Sequence, residues 1–154
     1  MLLMIISILI FNSIVYFIPK RLLKVDMYTT SLFAIGLHLL VDMFLDVKYG
    51  LYGYFEPKVV NWEMLGVTFG IYPAVNIMFL NLYPIHQTLL KKGMYIVICS
   101  ALAVFYEWIA VKTDLFYHSD WNLLYSALVY PLLYLSLLGN YYFIMNLKNI
   151  AEKE

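Results

Sequence analysis

A base and two acids stand inside a hydrophobic segment of the chain, HLLVDMFLD. His38, Asp42 and Asp46 are spaced by four residues, so their side chains fall near one face of a helix. A histidine one turn before a carboxylate can shuttle a proton or be held in one tautomer. Hydrogen bonding that only fixes helix packing explains the same spacing, so the pattern supports both interpretations.

A third acid, Glu107, lies in another apolar segment, at a depth similar to that of Asp42. Asp42 and Glu107 are each about five residues, or roughly 7–8 Å, inside the end of a predicted helix. A charge at the centre of a membrane helix costs about 2.5–3.5 kcal/mol, so each acid needs a partner, a wet cavity or a proton. The pair predicts a proton or cation site, an acid/base pair for a lipid-borne substrate, or interhelical hydrogen bonding.

Prolines and aromatic residues mark candidate hinge and interface positions. Asn76 follows Pro73 by three residues, and Tyr130 directly precedes Pro131. A proline frees an upstream carbonyl and bends its helix, which is consistent with hinges beside a cavity and with ordinary prolines of membrane helices. An aromatic belt or a lid is predicted at the outer interface, and its residues are Tyr52, Tyr54, Trp62 and Trp121.

The composition is that of a membrane protein. Apolar residues make up 64% of the 154 positions, charged residues 13%, and the mean hydropathy is +0.79. A soluble domain carries about 25% charged residues, so the bilayer is the expected solvent and partner. The net charge of zero gives no basic face for a nucleic acid. No metal-ligand or nucleotide-binding motif occurs, so we predict neither a metal site nor a cofactor.

Five apolar segments have lengths near the ~20 residues that cross a bilayer. They predict an all-α, polytopic membrane protein that forms one transmembrane domain over residues 1–154. The predicted spans are Leu2–Ile18, Thr29–Val47, Glu63–Leu82, Met94–Val111 and Asn122–Asn146.

The distribution of basic residues predicts the orientation of these spans. One side carries seven basic residues: Lys20, Arg21, Lys24, Lys91, Lys92, Lys148 and Lys153. The other side carries three, Lys48, Lys58 and Lys112. Since cytoplasmic loops are enriched in lysine and arginine, we expect the N-terminus outside and the C-terminus in the cytoplasm.

Two segments of the chain are alike. VKYGLY (residues 47–52) and VKTDLF (residues 111–116) share Val-Lys-x-x-Leu-aromatic, and each is followed by a tryptophan and then a Tyr-Pro pair. The likeness predicts a parallel repeat of helix pairs, spans two and three against spans four and five. With 15 tyrosines in the chain, chance agreement between aromatic-rich loops is the alternative explanation.

The strings DMFLDVKYGLYGYFEP, NWEMLG, YEW and SDWNLLYSALVYP carry a family resemblance. With these motifs the chain resembles an uncharacterised family of small multi-spanning integral membrane proteins of endospore-forming Gram-positive bacteria, from span two to span five. The resemblance implies a bacterial plasma membrane and supplies no catalytic residues.

The expected function is that of a small, non-enzymatic membrane protein, either a transporter-like bundle or a subunit of a membrane complex or homo-oligomer. Asp42 and Glu107 would form its polar pair, with His38 beside them. An intramembrane enzyme acting on a lipid or isoprenoid is the first alternative, and a structural scaffold is the second. Transport requires a wet path, an enzyme requires an apolar pocket open to lipid, and a scaffold requires fully hydrogen-bonded acids without a cavity.

Overall fold

The computed structural model describes residues 1–55 and 62–151. Lys58 and Lys153, which enter the count of basic residues, lie outside the described residues. Five helices make up most of the described chain. Their bounds are α1 Leu2–Phe17, α2 Lys24–Lys48, α3 Trp62–Leu82, α4 Leu89–Lys112 and α5 Leu123–Ala151.

Helices α2 to α5 are each long and apolar enough to cross a membrane, by length and composition. Helix α1 is apolar but has only 16 residues, or roughly 24 Å, which is short of the ~30 Å hydrocarbon layer. Helices α2 and α4 begin about five residues before the predicted spans. A hydropathy pattern marks only the apolar part of a helix, whereas backbone hydrogen bonding continues through the flanking lysines.

The bundle exposes many large apolar side chains and buries a set of polar ones beside its apolar core. Leu9, Val97, Leu102, Leu128 and Leu132 are each more than 60% exposed. The buried polar residues are Ser7, Asp26, Thr30, His38, Asp42, Thr68, Asn76, Asn81, Ser100, Glu107 and Ser126. Soluble proteins show the opposite distribution, whereas a bundle solvated by hydrocarbon keeps its polar groups in the interior.

Two short strands close one end of the bundle. Strand β1 (Tyr52–Tyr54) follows α2 and pairs antiparallel with strand β2 (Phe116–His118), which follows α4. The register places Tyr52 opposite His118 and Tyr54 opposite Phe116. Three-residue strands are too short to show an alternating pattern, so the sequence predicted only loops here. We call the pair of strands β1 and β2 the cap, and this end of the bundle the capped end.

At the opposite end, Asn81 anchors the connection between α1 and α2. Its Oδ1 accepts hydrogen bonds from the backbone N–H groups of Arg21 (2.7 Å) and Leu22 (3.3 Å). Its Nδ2 donates to the carbonyl oxygen of Pro19 at 2.8 Å. One buried side chain of α3 therefore satisfies three backbone groups of a connection that has no helical partners of its own.

We expect the Asn81→Leu variant to lower the free energy of unfolding by about 3 kcal/mol. Leucine has a similar volume but leaves two backbone donors and one acceptor without partners in the protein interior. Asn146→Leu is the matched control, because Asn146 is exposed on α5. Equilibrium unfolding in detergent measures the difference. Equal unfolding of the two variants would show that the anchor does not contribute to stability.

Candidate functional site

A cavity of about 620 Å³ lies within the bundle and reaches the capped end. All five helices and both strands contribute to its wall, which is mainly apolar and aromatic. Its ionisable groups other than tyrosine and cysteine are His38, Asp42 and Glu107; none of the described lining residues is a lysine or an arginine. The structure therefore brings the predicted acid pair to the walls of one cavity.

The cavity meets the apolar outer surface of the bundle between α3 and α4. Its lining residues Ile98 and Leu102 are each more than half exposed, so the wall here is also the outer surface of the bundle. Toward the capped end, the rings of Phe11 and Tyr106 pack at 5.7 Å between their centroids. Toward the opposite end, the hydroxyl of Tyr95 donates to the carbonyl of Phe79 at 2.9 Å. These two contacts frame a lateral opening of apolar side chains.

Asp42 is the acid whose hydrogen bonding is incomplete. The residue is 3% exposed, and its Oδ1 accepts a hydrogen bond from the hydroxyl of Tyr52 at 2.8 Å. Its Oδ2 has no hydrogen-bond partner among the described residues and lies 3.3 Å from Nδ1 of His38. A buried carboxylate oxygen without a hydrogen bond is costly, and in the described lining of the cavity Oδ2 shares this state with one other atom, the Oδ1 of Asn76.

A proton lies between His38 and this oxygen. The hydroxyl of Thr68 donates its single proton to the carbonyl of Met64 at 2.9 Å, so it can only accept from Nε2 of His38, 3.2 Å away. Nδ1 of His38 then faces Oδ2 of Asp42. Two lone pairs would repel at this distance, so one of the two atoms carries a proton. The imidazole is also fixed by stacking on Tyr72, with 3.7 Å between the ring centroids.

Glu107 is bonded at both of its oxygens. Oε1 accepts from the hydroxyl of Ser126 at 2.6 Å and lies 2.8 Å from Nε2 of His118. Oε2 accepts from the hydroxyl of Tyr130 at 2.6 Å. These partners belong to α5 and β2, so Glu107 connects α4 to two neighbouring elements. The two acids of the cavity thus differ. Glu107 has partners at both carboxylate oxygens, whereas Asp42 has a hydrogen bond at Oδ1 only.

The strand pair connects the two acids. Tyr52 and His118 are opposite each other in the register, and each contacts one carboxylate, Tyr52 that of Asp42 and His118 that of Glu107. Next to them, the hydroxyls of Tyr54 and Tyr72 lie 2.9 Å apart. The strand pair therefore holds both acids in position at the capped end of the cavity, through Tyr52 and His118.

Widened helical turns flank the site. The last six residues of α2, Met43–Lys48, are π-helical and directly follow Asp42. The segment Val67–Ile71 of α3 is also π-helical and directly precedes Tyr72-Pro73. Pro73 lacks an N–H and its ring crowds the preceding turn, which accounts for the widening there. Such π-helical turns frequently occur at functional sites.

The other predicted residues occupy several different positions. Asn76 lines the cavity and donates to Thr30 Oγ1 at 3.1 Å, whereas Pro131 lies inside α5, which stays α-helical. Asp46 is half-buried, outside the cavity lining. Of the predicted aromatic belt, Trp62 is 86% exposed, while the rings of Tyr52, Tyr54 and Trp121 line the cavity.

His118, Ser126 and Thr68 are site residues that the sequence reasoning missed. His118 lies in a three-residue strand, and Thr68 and Ser126 are small hydroxyl residues inside apolar helices, so the sequence analysis did not single them out. One signal was present for the strands. Gly53 faces Tyr117, which lies 64 positions later, and the two similar motifs begin at Val47 and Val111, also 64 positions apart.

Within the described ranges, no three His, Cys, Asp or Glu side chains are grouped as they would be to hold a metal ion. His38 and Asp42 remain together, but Glu107 is bonded to its own partners. In comparisons with known proteins, no family model, no curated protein and no solved structure matches this chain.

Proposed function

We propose that this chain is an integral membrane protein whose cavity binds an amphipathic molecule taken from the bilayer. The observation that carries the proposal is Oδ2 of Asp42, which makes no hydrogen bond among the described residues and belongs to a cavity with a mainly apolar and aromatic wall. The apolar part of the ligand would enter between α3 and α4, and its polar part would contact Asp42. Cavities of about 300–1,000 Å³ with a few convergent polar groups are typical of small-molecule sites.

The membrane setting of this proposal is the bacterial plasma membrane, with the N-terminus outside. The lysine and arginine distribution supports this orientation, which places the capped end at the outer face. At the opposite end, the bundle is filled by a core that includes Phe79, Tyr83, Tyr134 and Tyr141. This packing supports a binding site closed toward the cytoplasm over a continuous wet path for transport.

We also propose that the two helix pairs α2–α3 and α4–α5 are a parallel repeat. The antiparallel strands are related by the same offset as the motifs that precede them. Tyr72 and Tyr130, each directly before a proline, both line the cavity from the second helix of their pair. Asp42 and Glu107 are offset by one further position, so the two acids are near-equivalents rather than strict equivalents.

An intramembrane enzyme is the second candidate function. The observation that favours it is the proton held between His38 Nδ1 and Asp42 Oδ2, which could be given to or taken from the polar part of a ligand. Comparison of the lipids retained by wild type and by Asp42→Asn tests it. A chemically altered lipid found only with wild type supports catalysis, and identical lipids in both exclude it.

The binding proposal is tested by filling the cavity. We expect Ala103→Phe to remove most of the lipid that copurifies with the protein, because the new ring occupies the cavity beside the lateral opening. Ala101→Phe is the matched control, since Ala101 is exposed on the same helix. Native mass spectrometry measures the retained mass, and thermal unfolding checks the fold. Equal lipid occupancy in folded samples of both variants would contradict the proposal.

A further inference from the structure

We propose that the ligand of the cavity is a lipophilic organic cation, such as an ammonium compound with a bulky apolar body. This inference rests on the proposed binding function and names its ligand class. Its basis is the charge of the cavity wall. The described lining offers two carboxylic groups, one histidine and no lysine or arginine. A bound cation would take the place of the proton between His38 and Asp42 as the positive partner of the Asp42 carboxylate.

Asp42 is the group that would meet the cation. Its Oδ2 is buried, has no hydrogen-bond partner among the described residues and belongs to a residue that lines the cavity. Glu107 already accepts from Ser126 and Tyr130 and contacts His118, so it has less capacity for a further partner. A buried carboxylate is stable when it is paired with a positive charge or holds a proton.

An anionic head group does not fit this wall. Phosphate and carboxylate ligands are recognised by arginine, lysine or free N–H groups. The hydroxyls of Tyr52 and Tyr130 donate to the two acids, and those of Tyr54 and Tyr72 share one hydrogen bond, so few neutral donors are left near Asp42. His38 contacts Thr68 through Nε2 and faces Asp42 through Nδ1. A phosphate would therefore lie beside carboxylic groups, with no lysine or arginine among the described lining residues to pair with it.

The aromatic wall favours a cation over a neutral polar group. The rings of Tyr52, Tyr54, Tyr72, Tyr106, Tyr130, Phe116 and Trp121 all line the cavity. Aromatic faces attract organic cations, and a cage of such rings with an acid is a common way to bind an ammonium group. Since the hydroxyls of Tyr52, Tyr106 and Tyr130 donate within the protein, these residues offer the ligand their rings rather than their protons.

The test compares two probes of the same size and opposite charge. Binding of tetraphenylphosphonium and of tetraphenylborate to the purified full chain in a nonionic detergent is measured by equilibrium dialysis. We expect the cation to bind at least about tenfold more tightly than the anion. Equal binding of the two probes, or tighter binding of the borate, would overturn the inference. This comparison uses only the wild-type protein, so it does not depend on any variant folding.

The second arm locates the charge that the cation contacts. Asp42→Asn keeps the shape of the side chain and removes its ability to carry a negative charge, and we expect the affinity for tetraphenylphosphonium to fall by about tenfold or more. Asp114→Asn is the matched control, because Asp114 is exposed near the capped end. An unchanged affinity in a folded Asp42→Asn sample would overturn the assignment of the cation to this carboxylate.

The failure of this inference is distinguishable from the failure of the proposed function. If neither probe binds but wild type retains a lipid that Ala103→Phe loses, the cavity binds a ligand of another class, and only the cation assignment is overturned. If neither probe binds and no lipid is retained, both proposals are overturned.

Discussion

Replacing Glu107 with alanine is expected to lower the free energy of unfolding by about 4 kcal/mol, the largest loss from a single change in the cavity. Two hydroxyl donors, on Ser126 and Tyr130, and the imidazole of His118 would lose their acceptor inside the bundle. Each buried polar group left without a partner costs about 1–3 kcal/mol, and the truncation also removes the connection from α4 to α5 and β2. Equilibrium unfolding in detergent measures the loss.

Glu107→Gln separates hydrogen bonding from charge. Glutamine retains one carbonyl oxygen for Ser126, and its amide can donate to Tyr130, whose hydroxyl can also accept. We therefore expect the glutamine variant to keep most of the stability that alanine loses. If both variants unfold equally early, the negative charge rather than the hydrogen-bond network stabilises the bundle. If both match wild type, the connection through Glu107 makes no contribution to stability.

The contrast between Glu107 and Asp42 is the main result that sequence reasoning could not reach. Spacing and depth identify both acids and place them on two helices, because helical periodicity is a local property. Their hydrogen-bond partners are Tyr52, His118, Ser126 and Tyr130, which are reached through tertiary packing. A hydropathy pattern does not show that Glu107 has three side-chain partners or that Asp42 has a single hydrogen bond.

The helices were predictable for a different reason from the cap. Long apolar segments leave few alternatives to helices, so the positions of α2 to α5 follow from the sequence to within a few residues. The strands contain three residues each, and their pairing depends on two loops that are about 60 residues apart. The π-helical turns also escape prediction, since Pro73 indicates a disturbed turn but not its form.

The cap should also make the fold sensitive to alkaline pH. Burial raises the pKa of Tyr52 far above its ordinary value of about 10, and the nearby carboxylate of Asp42 raises it further. Burial, followed by the neighbouring Tyr72 and Asp42, likewise raises the pKa of the Tyr54 hydroxyl. Both phenols ionise more readily in the unfolded chain, so their contribution to stability is fully present below pH ~10 and is lost as the pH rises above it.

We expect the free energy of unfolding to fall by about 1.4 kcal/mol per pH unit for each of these tyrosines above pH ~10. Tyr54→Phe removes one ionisable group of the cap. The free energy of unfolding of this variant should therefore fall less steeply with pH in this range than that of wild type, by the same amount. Unfolding free energies measured at several pH values in detergent give both slopes. Below pH ~9 the difference between the two proteins should be independent of pH, which serves as the internal control.

An unchanged slope in Tyr54→Phe would mean that the Tyr54 hydroxyl ionises equally readily in the folded and the unfolded chain. Water would then reach the strand pair, and β1 would not be packed over the cavity as the burial of Tyr52 and Tyr54 requires. A ligand could then reach Asp42 from the aqueous side as well as through the lateral opening between α3 and α4. The fall in the free energy of unfolding above pH ~10 therefore tests whether a ligand enters the site from the bilayer. The proposal of an amphipathic ligand depends on that route.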